Sequence, residues 1–155
     1  MSRLPLLVLT VAAAAAAGCG GGSAAKETPR LNEGEFVQKA DNVCIRSDRR
    51  VFKIGRLGPD PDPWERTADA AATAIREMRR LRPPAAEQRR FNALMAAGER
   101  VRQAIADVHD ALVEKKYDRA RAAQVRALRA DSNIKVIAHG LGLTFCEQLL
   151  TNWPA

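Results

Sequence analysis

Apolar side chains recur along this chain at alternating steps of three and four residues, the period of one face of an α-helix. The longest stripe is Phe91, Leu94, Gly98, Val101, Ile105, Val108 and Leu112. Val37, Ala40, Cys44, Ser47, Val51 and Ile54 trace a second, and Trp64, Ala68, Ala71, Ile75 and Met78 a third. No run of alternating apolar and polar residues lies between hairpin turns, so the pattern predicts an all-α chain without a sheet. Local signals divide it into helices. Asn32 with Glu35 three residues later has the spacing of a capping box, and Gly58-Pro59-Asp60-Pro61 ends that helix because prolines interrupt its hydrogen-bond ladder. Asp62-Pro63-Trp64-Glu65 puts a capping residue before a proline, which opens a second helix that Pro83-Pro84 stops. A third is expected over residues 85–116. A fourth, over residues 117–138, has the stripe Val125, Leu128, Ile134 and Ile137, interrupted by Gln124, Asp131, Ser132 and Asn133. Gly140 and Gly142 suit a helix end and a turn, after which residues 143–150 fold back. Short connections then predict an antiparallel four-helix bundle. Its alanine-rich faces bury little area per residue, so such a core gains from a covalent staple.

The N-terminus carries a different message. Arg3 precedes the apolar run Leu4-Pro5-Leu6-Leu7-Val8-Leu9, and Val11 with six alanines leads to Gly18-Cys19. This is the layout of an export signal, and it is shorter than the about 20 apolar residues of a membrane span. Ala16-Ala17-Gly18-Cys19 resembles the lipobox of bacterial lipoproteins, with Ala16 where leucine is common. The resemblance implies that residues 1–18 form a removed signal peptide and that Cys19 is diacylated with fatty chains such as palmitate. The alternative is ordinary cleavage that leaves Cys19 a free thiol. Two or three acyl chains hold a protein on a bilayer permanently, so the expected location is the extracytoplasmic face of the cell membrane. Gly20-Gly21-Gly22-Ser23 opens a flexible tether over residues 19–31, and residues 32–155 form the helical domain.

With Cys19 assigned to lipid, Cys44 and Cys146 remain, in a chain exported from the reducing cytosol. A disulfide fastening the two ends of the domain is the expected outcome. Two buried free thiols or a redox-active pair are the alternatives, the latter usually written C-x-x-C, a motif this chain lacks. Three short patterns, Phe36-x-x-x-Ala40-Asp41-x-x-Cys44, Leu81-Arg82-Pro83-Pro84 and Gly140-Leu141-Gly142-Leu143-x-x-Cys146, are similar to those of a group of small helical lipoproteins of high-GC Gram-positive bacteria. The resemblance implies a lipid-anchored helical domain with its two cysteines paired, and it brings no activity.

The residues offer little for catalysis. A di-iron bundle needs Glu-x-x-His pairs, yet Ala106 and Val136 stand three residues before the only histidines, His109 and His139. Neither C-x-x-C-H nor a Cys/His zinc cluster occurs, so no metal and no cofactor is expected. Asp107-x-His109-Asp110 is the one acid–base cluster, and adjacent helical residues diverge. His139 suits a helix C-terminus. No phosphate loop or nucleophile elbow is present, and the chain is not expected to be an enzyme.

Charge is the more informative feature, with 25 Lys and Arg against 18 Asp and Glu. Lys39, Arg46, Arg49, Arg50, Lys53 and Arg56 fall within about a 120° arc opposite Cys44. They are candidates for contact with an anionic surface such as acidic phospholipid, a cell-wall polyanion or an acidic protein; the ordinary alternative is a solvated face. A second group, Arg76, Arg79, Arg80, Arg82, Arg89 and Arg90, surrounds the Pro83-Pro84 bend. Nucleic acid is not an expected partner outside the cell. The sequence thus points first to an interaction or envelope-structural module. The alternative is a small-ligand-binding protein with a site inside the bundle, for which Gln124 and Asp131 in the fourth stripe are the signal.

Overall fold

A computed structural model describes residues 29–147. The signal segment, Cys19, most of the tether and the last residues of the C-terminal segment lie outside the described residues. The elements are α1 (Glu33–Ile54), α2 (Asp62–Arg79), a 3-10 turn (Ala85–Glu87), α3 (Gln88–Val113), α4 (Tyr117–Gly140) and the single turn α5 (Thr144–Glu147). The described residues form no strand, and the five helices pack against one another.

Most of the boundaries follow from the local signals. Asn32 accepts the N–H of Glu35 at 2.9 Å, and the Glu35 carboxylate accepts the N–H of Asn32 at 3.1 Å. This reciprocal cap satisfies donors that the first turn would otherwise strand. The start of α2 differs from the expected cap. Asp62 is itself helical, Pro61 occupies the cap position without a side-chain bond, and Asp60 accepts the N–H of Asp62 at 3.1 Å. The expected third helix begins as a 3-10 turn behind Pro84, and residues 114–116 turn instead of continuing it. Lys115 adopts φ 55°, and the N–H of Lys116 reaches back to the carbonyl of Ala111 at 2.8 Å. This is a left-handed helix stop built without glycine.

The largest departure from expectation lies in α4. Its buried face is Ala120, Ala123, Ala127, Ala130, Asp131 and Ala138, whereas Val125 and Leu128 are 42% and 48% exposed. These alanines have helical spacing of their own, and α4 makes its most extensive contact with α3. Two backbones running so close leave room only for methyl groups. Larger side chains at Val125 and Leu128 therefore turn outward despite their hydrophobicity.

Two clusters form the core. One gathers Trp64, Val101, Ile105 and Val108 against the α4 alanines. The other joins Phe36, Val43, Met78, Phe91, Leu94 and Leu143 around Cys44 and Cys146. Within it the rings of Phe36 and Phe91 meet edge to face, with centroids 5.7 Å apart. Gly142, at φ 70°, turns the chain after α4. Leu143 is then fully buried, and Asp41 on α1 accepts the N–H of Phe145 at 3.0 Å. These contacts seat α5 against α1 and α4 and bring the sulfurs of Cys44 and Cys146 to 2.01 Å, disulfide distance. The backbone of α1 rests on α2 and α5, while none of its Cα atoms comes within 8 Å of one in α3 or α4.

Candidate functional site

The α1 backbone stands off α3 and α4, and although side chains such as Phe36 bridge to α3 near its start, space remains under its later turns. A cavity of about 530 Å³ lies among α1, α2, α3 and α4, a size typical of small-molecule sites. The inner wall is apolar. Val43 and Cys44 come from α1, Ile75 and Met78 from α2, Leu94, Val101 and Ile105 from α3, and Ile134 from α4, with Cys146 beside them. Several positions on the apolar stripes of α1, α2 and α3 carry side chains too small to fill the gap, namely Ser47, Ala71 and Gly98. At Gly98 a β-carbon would lie 3.4 Å from the Ile75 side chain, an ordinary contact distance. Phe52, 79% exposed, stands with Asp48 and Arg56 at the solvent side of the lining.

One charged side chain lies in the buried part of this lining. Asp131 is 4% exposed, and its Oδ1 has no hydrogen-bond partner. The other oxygen, Oδ2, is 3.2 Å from Nζ of Lys135 one turn further along α4. Burial pushes the Asp131 carboxyl above the ordinary aspartate value and outweighs the hydrogen bond and charge of Lys135. Polar groups this deep are nearly always satisfied, yet Oδ1 is packed out of reach of water without a donor. Thr67, also buried in the lining, already donates its hydroxyl to the carbonyl of Pro63 at 2.8 Å.

The structure scatters the remaining sequence candidates. Arg46 and Arg50 reach across to α2 and clasp Glu77, at 2.7 and 2.5 Å. Burial tends to raise the Glu77 carboxyl, but hydrogen bonds and charge from both arginines hold it below the ordinary glutamate range. Two of the five basic residues on α1 thus brace it against α2, and the sixth expected cation, Arg56, lies beyond the helix end. Lys39, Arg49 and Lys53 are exposed, with no ion pair among the described residues, and Arg56 is at the cavity rim. Near the bend, Arg79 pairs with Glu99 at 2.8 Å and Arg90 with Glu87 at 3.0 Å. His109 meets Asp110 at 2.9 Å, while Asp107 is held by Gln103 and Arg126. His139 bonds Glu147 of α5 at 3.1 Å, beyond any role at the helix end. Gln124 lies outside the cavity lining, which Asp131 joins. Asp131 stands out in the sequence as an interruption of a stripe, whereas Ser47, Ala71 and Gly98 carry no signal there that core volume runs short at them.

Among the described residues, no group of three or more His, Cys, Asp or Glu side chains is placed to hold a metal ion. No helix among them is long and apolar enough to cross a membrane. The chain matches no protein-family model, no curated protein and no solved structure.

Proposed function

We propose that this is a lipid-anchored extracytoplasmic protein that holds a small, largely apolar ligand in the cavity under α1. The observation that carries the reading is the cavity itself, walled mostly by apolar side chains from four helices and with one buried carboxylate, that of Asp131, in its lining. It moves the ligand-binding alternative ahead of the interaction module. The role is binding, not catalysis. On this reading Cys19 carries the lipid, residues 1–18 are the removed signal, and residues 19–31 let the domain stand off the bilayer. The four long helices run antiparallel, as the short links from α1 to α2 and from α3 to α4 favour. The paired sulfurs of Cys44 and Cys146 support export from the reducing cytosol. The resemblance to small helical lipoproteins of high-GC Gram-positive bacteria agrees with the same placement.

Filling the cavity tests the reading. The neutral dye N-phenylnaphthylamine should brighten on binding the protein at one site per chain. Gly98→Leu and Ala71→Leu, which push side chains into the cavity, should abolish that signal in protein that still unfolds cooperatively. Dye binding that survives both substitutions would place the apolar site elsewhere.

The exposed cations of α1 support a second reading, contact with an anionic surface. Lys39, Arg49 and Lys53 are the residues to change, because Arg46 and Arg50 are engaged with Glu77. Lys39→Gln, Arg49→Gln and Lys53→Gln together should lower affinity for vesicles containing acidic phospholipid, and unchanged or absent binding would leave the face a solvated one.

A further inference from the structure

We infer that the outer face of α4 is a docking surface for a bilayer of anionic phospholipid. The inference is independent of the cavity, and it gives lipid contact a different seat from the cations of α1. Seven large hydrophobic side chains are exposed among the described residues. Four of them, Tyr117, Val125, Leu128 and Val136, lie on α4, while α1, α3 and α5 carry one each and α2 none. At about 100° per residue those four fall within an arc of roughly 100°, on the side away from the alanines that meet α3. The stripe runs roughly 28 Å along the helix, and Tyr117 and Val136 at its ends are 62% and 74% exposed. Single exposed apolar residues are ordinary on a surface, whereas an aligned set marks a contact.

The charge around the stripe selects the partner. Arg121 lies inside the same arc and Arg129 at its border, both exposed and without an ion pair among the described residues. Arg119, Arg126 and Lys135 add three more cations, paired with Glu114, Asp107 and Asp131. Asp118 and the buried Asp131 are the acidic residues of α4, so its solvent side is basic. Hydrophobic side chains interleaved with arginine suit the boundary between acyl chains and anionic headgroups. There the apolar tips enter the edge of the hydrocarbon while the guanidinium groups reach back to phosphate. A second copy of this chain fits less well. A two-fold pair would press the stripe against itself. It would gather the cations of both copies in one interface, with Asp118 as the exposed carboxylate of α4 to offset them.

The test uses the whole exported chain carrying Cys19→Ser, so that no acyl group holds it on lipid, and vesicles of phosphatidylcholine with or without phosphatidylglycerol. Flotation should show binding to the anionic vesicles, little to the neutral ones, and weaker binding at high salt. Val125→Gln, Leu128→Gln and Val136→Gln together should lower the affinity about tenfold, and Arg121→Gln with Arg129→Gln by a similar factor. Lys39→Gln, Arg49→Gln and Lys53→Gln together should lower it less than either set. If the apolar set does not fold, the arginine pair decides the matter. Val136→Trp should add emission that lipids brominated on their acyl chains quench, which contact through charge alone would not produce. Absence of that quenching, binding that neither α4 set weakens, or no binding to anionic vesicles would overturn the inference. Loss on changing the α1 cations alone would also overturn it and return lipid contact to α1. Stripe-dependent dimers without vesicle binding would overturn it as well and make the face a contact between copies. The dye-binding test of the cavity stands or falls separately from all of these.

Discussion

Replacing Asp131 by leucine should stabilise the ligand-free protein at neutral pH, although it deletes an ion pair. The unpaired Oδ1 leaves a buried acceptor unsatisfied, which costs about 1–3 kcal/mol. Against this, the bond to the partly exposed Lys135 returns at most about 1 kcal/mol. Leucine adds apolar surface next to Ile134 and Ile105 and has a better helix propensity than aspartate. A net gain of roughly 2 kcal/mol follows, or about 5–10 °C in Tm for a domain of this size. The sign of the pH dependence is fixed by the raised carboxyl. The folded state holds the Asp131 proton more tightly than the unfolded chain, so the penalty is absent below the unfolded value of about 3.9. It grows as pH rises through the raised folded value. The advantage of leucine should thus be small near pH 4 and larger at neutral pH. Guanidinium unfolding followed by circular dichroism across that range measures it. A less stable Asp131→Leu at neutral pH, or an advantage equal at both ends of the range, would refute the view that this carboxylate is held at the expense of stability.

Three further outcomes are expected. Cys44→Ser with Cys146→Ser, or reduction of the native protein, should lower stability by about 2–5 kcal/mol, because the link spans 102 residues of sequence; thermal unfolding with and without reductant reads this. Ala127→Leu should destabilise by roughly 1–3 kcal/mol, since its fully buried methyl lies in the core cluster shared by α3 and α4, and an unchanged Tm would contradict that packing. Glu77→Gln should cost up to about 1 kcal/mol at neutral pH. The lowered carboxyl means that this stabilisation is present above the unfolded pKa of about 4.3 and lost as pH falls through the folded value. The variant and the parent should therefore converge in acid.

Much of this architecture is legible in the residues, and the exceptions have a common cause. The stripes of α1, α2 and α3 mark buried faces because Phe91, Leu94, Ile75 and Met78 are large enough to make burial decisive. Asn32 and Glu35 specify a helix start through bonds local to one turn. On α4 the ranking by hydrophobicity misleads, because the close pairing with α3 rewards small size and expels Val125 and Leu128 in favour of alanines. The cavity is hidden for a related reason. Its volume depends on how far α1 stands from α3, a distance set by α2, α5 and the Cys44–Cys146 link together. Ser47, Ala71 and Gly98 leave that space unfilled, yet each is an ordinary helix residue when taken alone. Asp131 shows in the sequence as a polar break, and only tertiary packing shows that it is buried at the wall of an apolar cavity with one oxygen unpaired.

The most direct test of a ligand site under α1 is methyl NMR on protein labelled at isoleucine and methionine, titrated with decanol. Ile75, Ile105, Ile134, Met78 and Met95 line the cavity, whereas Ile45, Ile54 and Ile137 do not. The account predicts shifts at the lining methyls that saturate at one ligand per chain, with the other three isoleucines unmoved. Titration without movement at the lining methyls, or with movement confined to the other isoleucines, would contradict it.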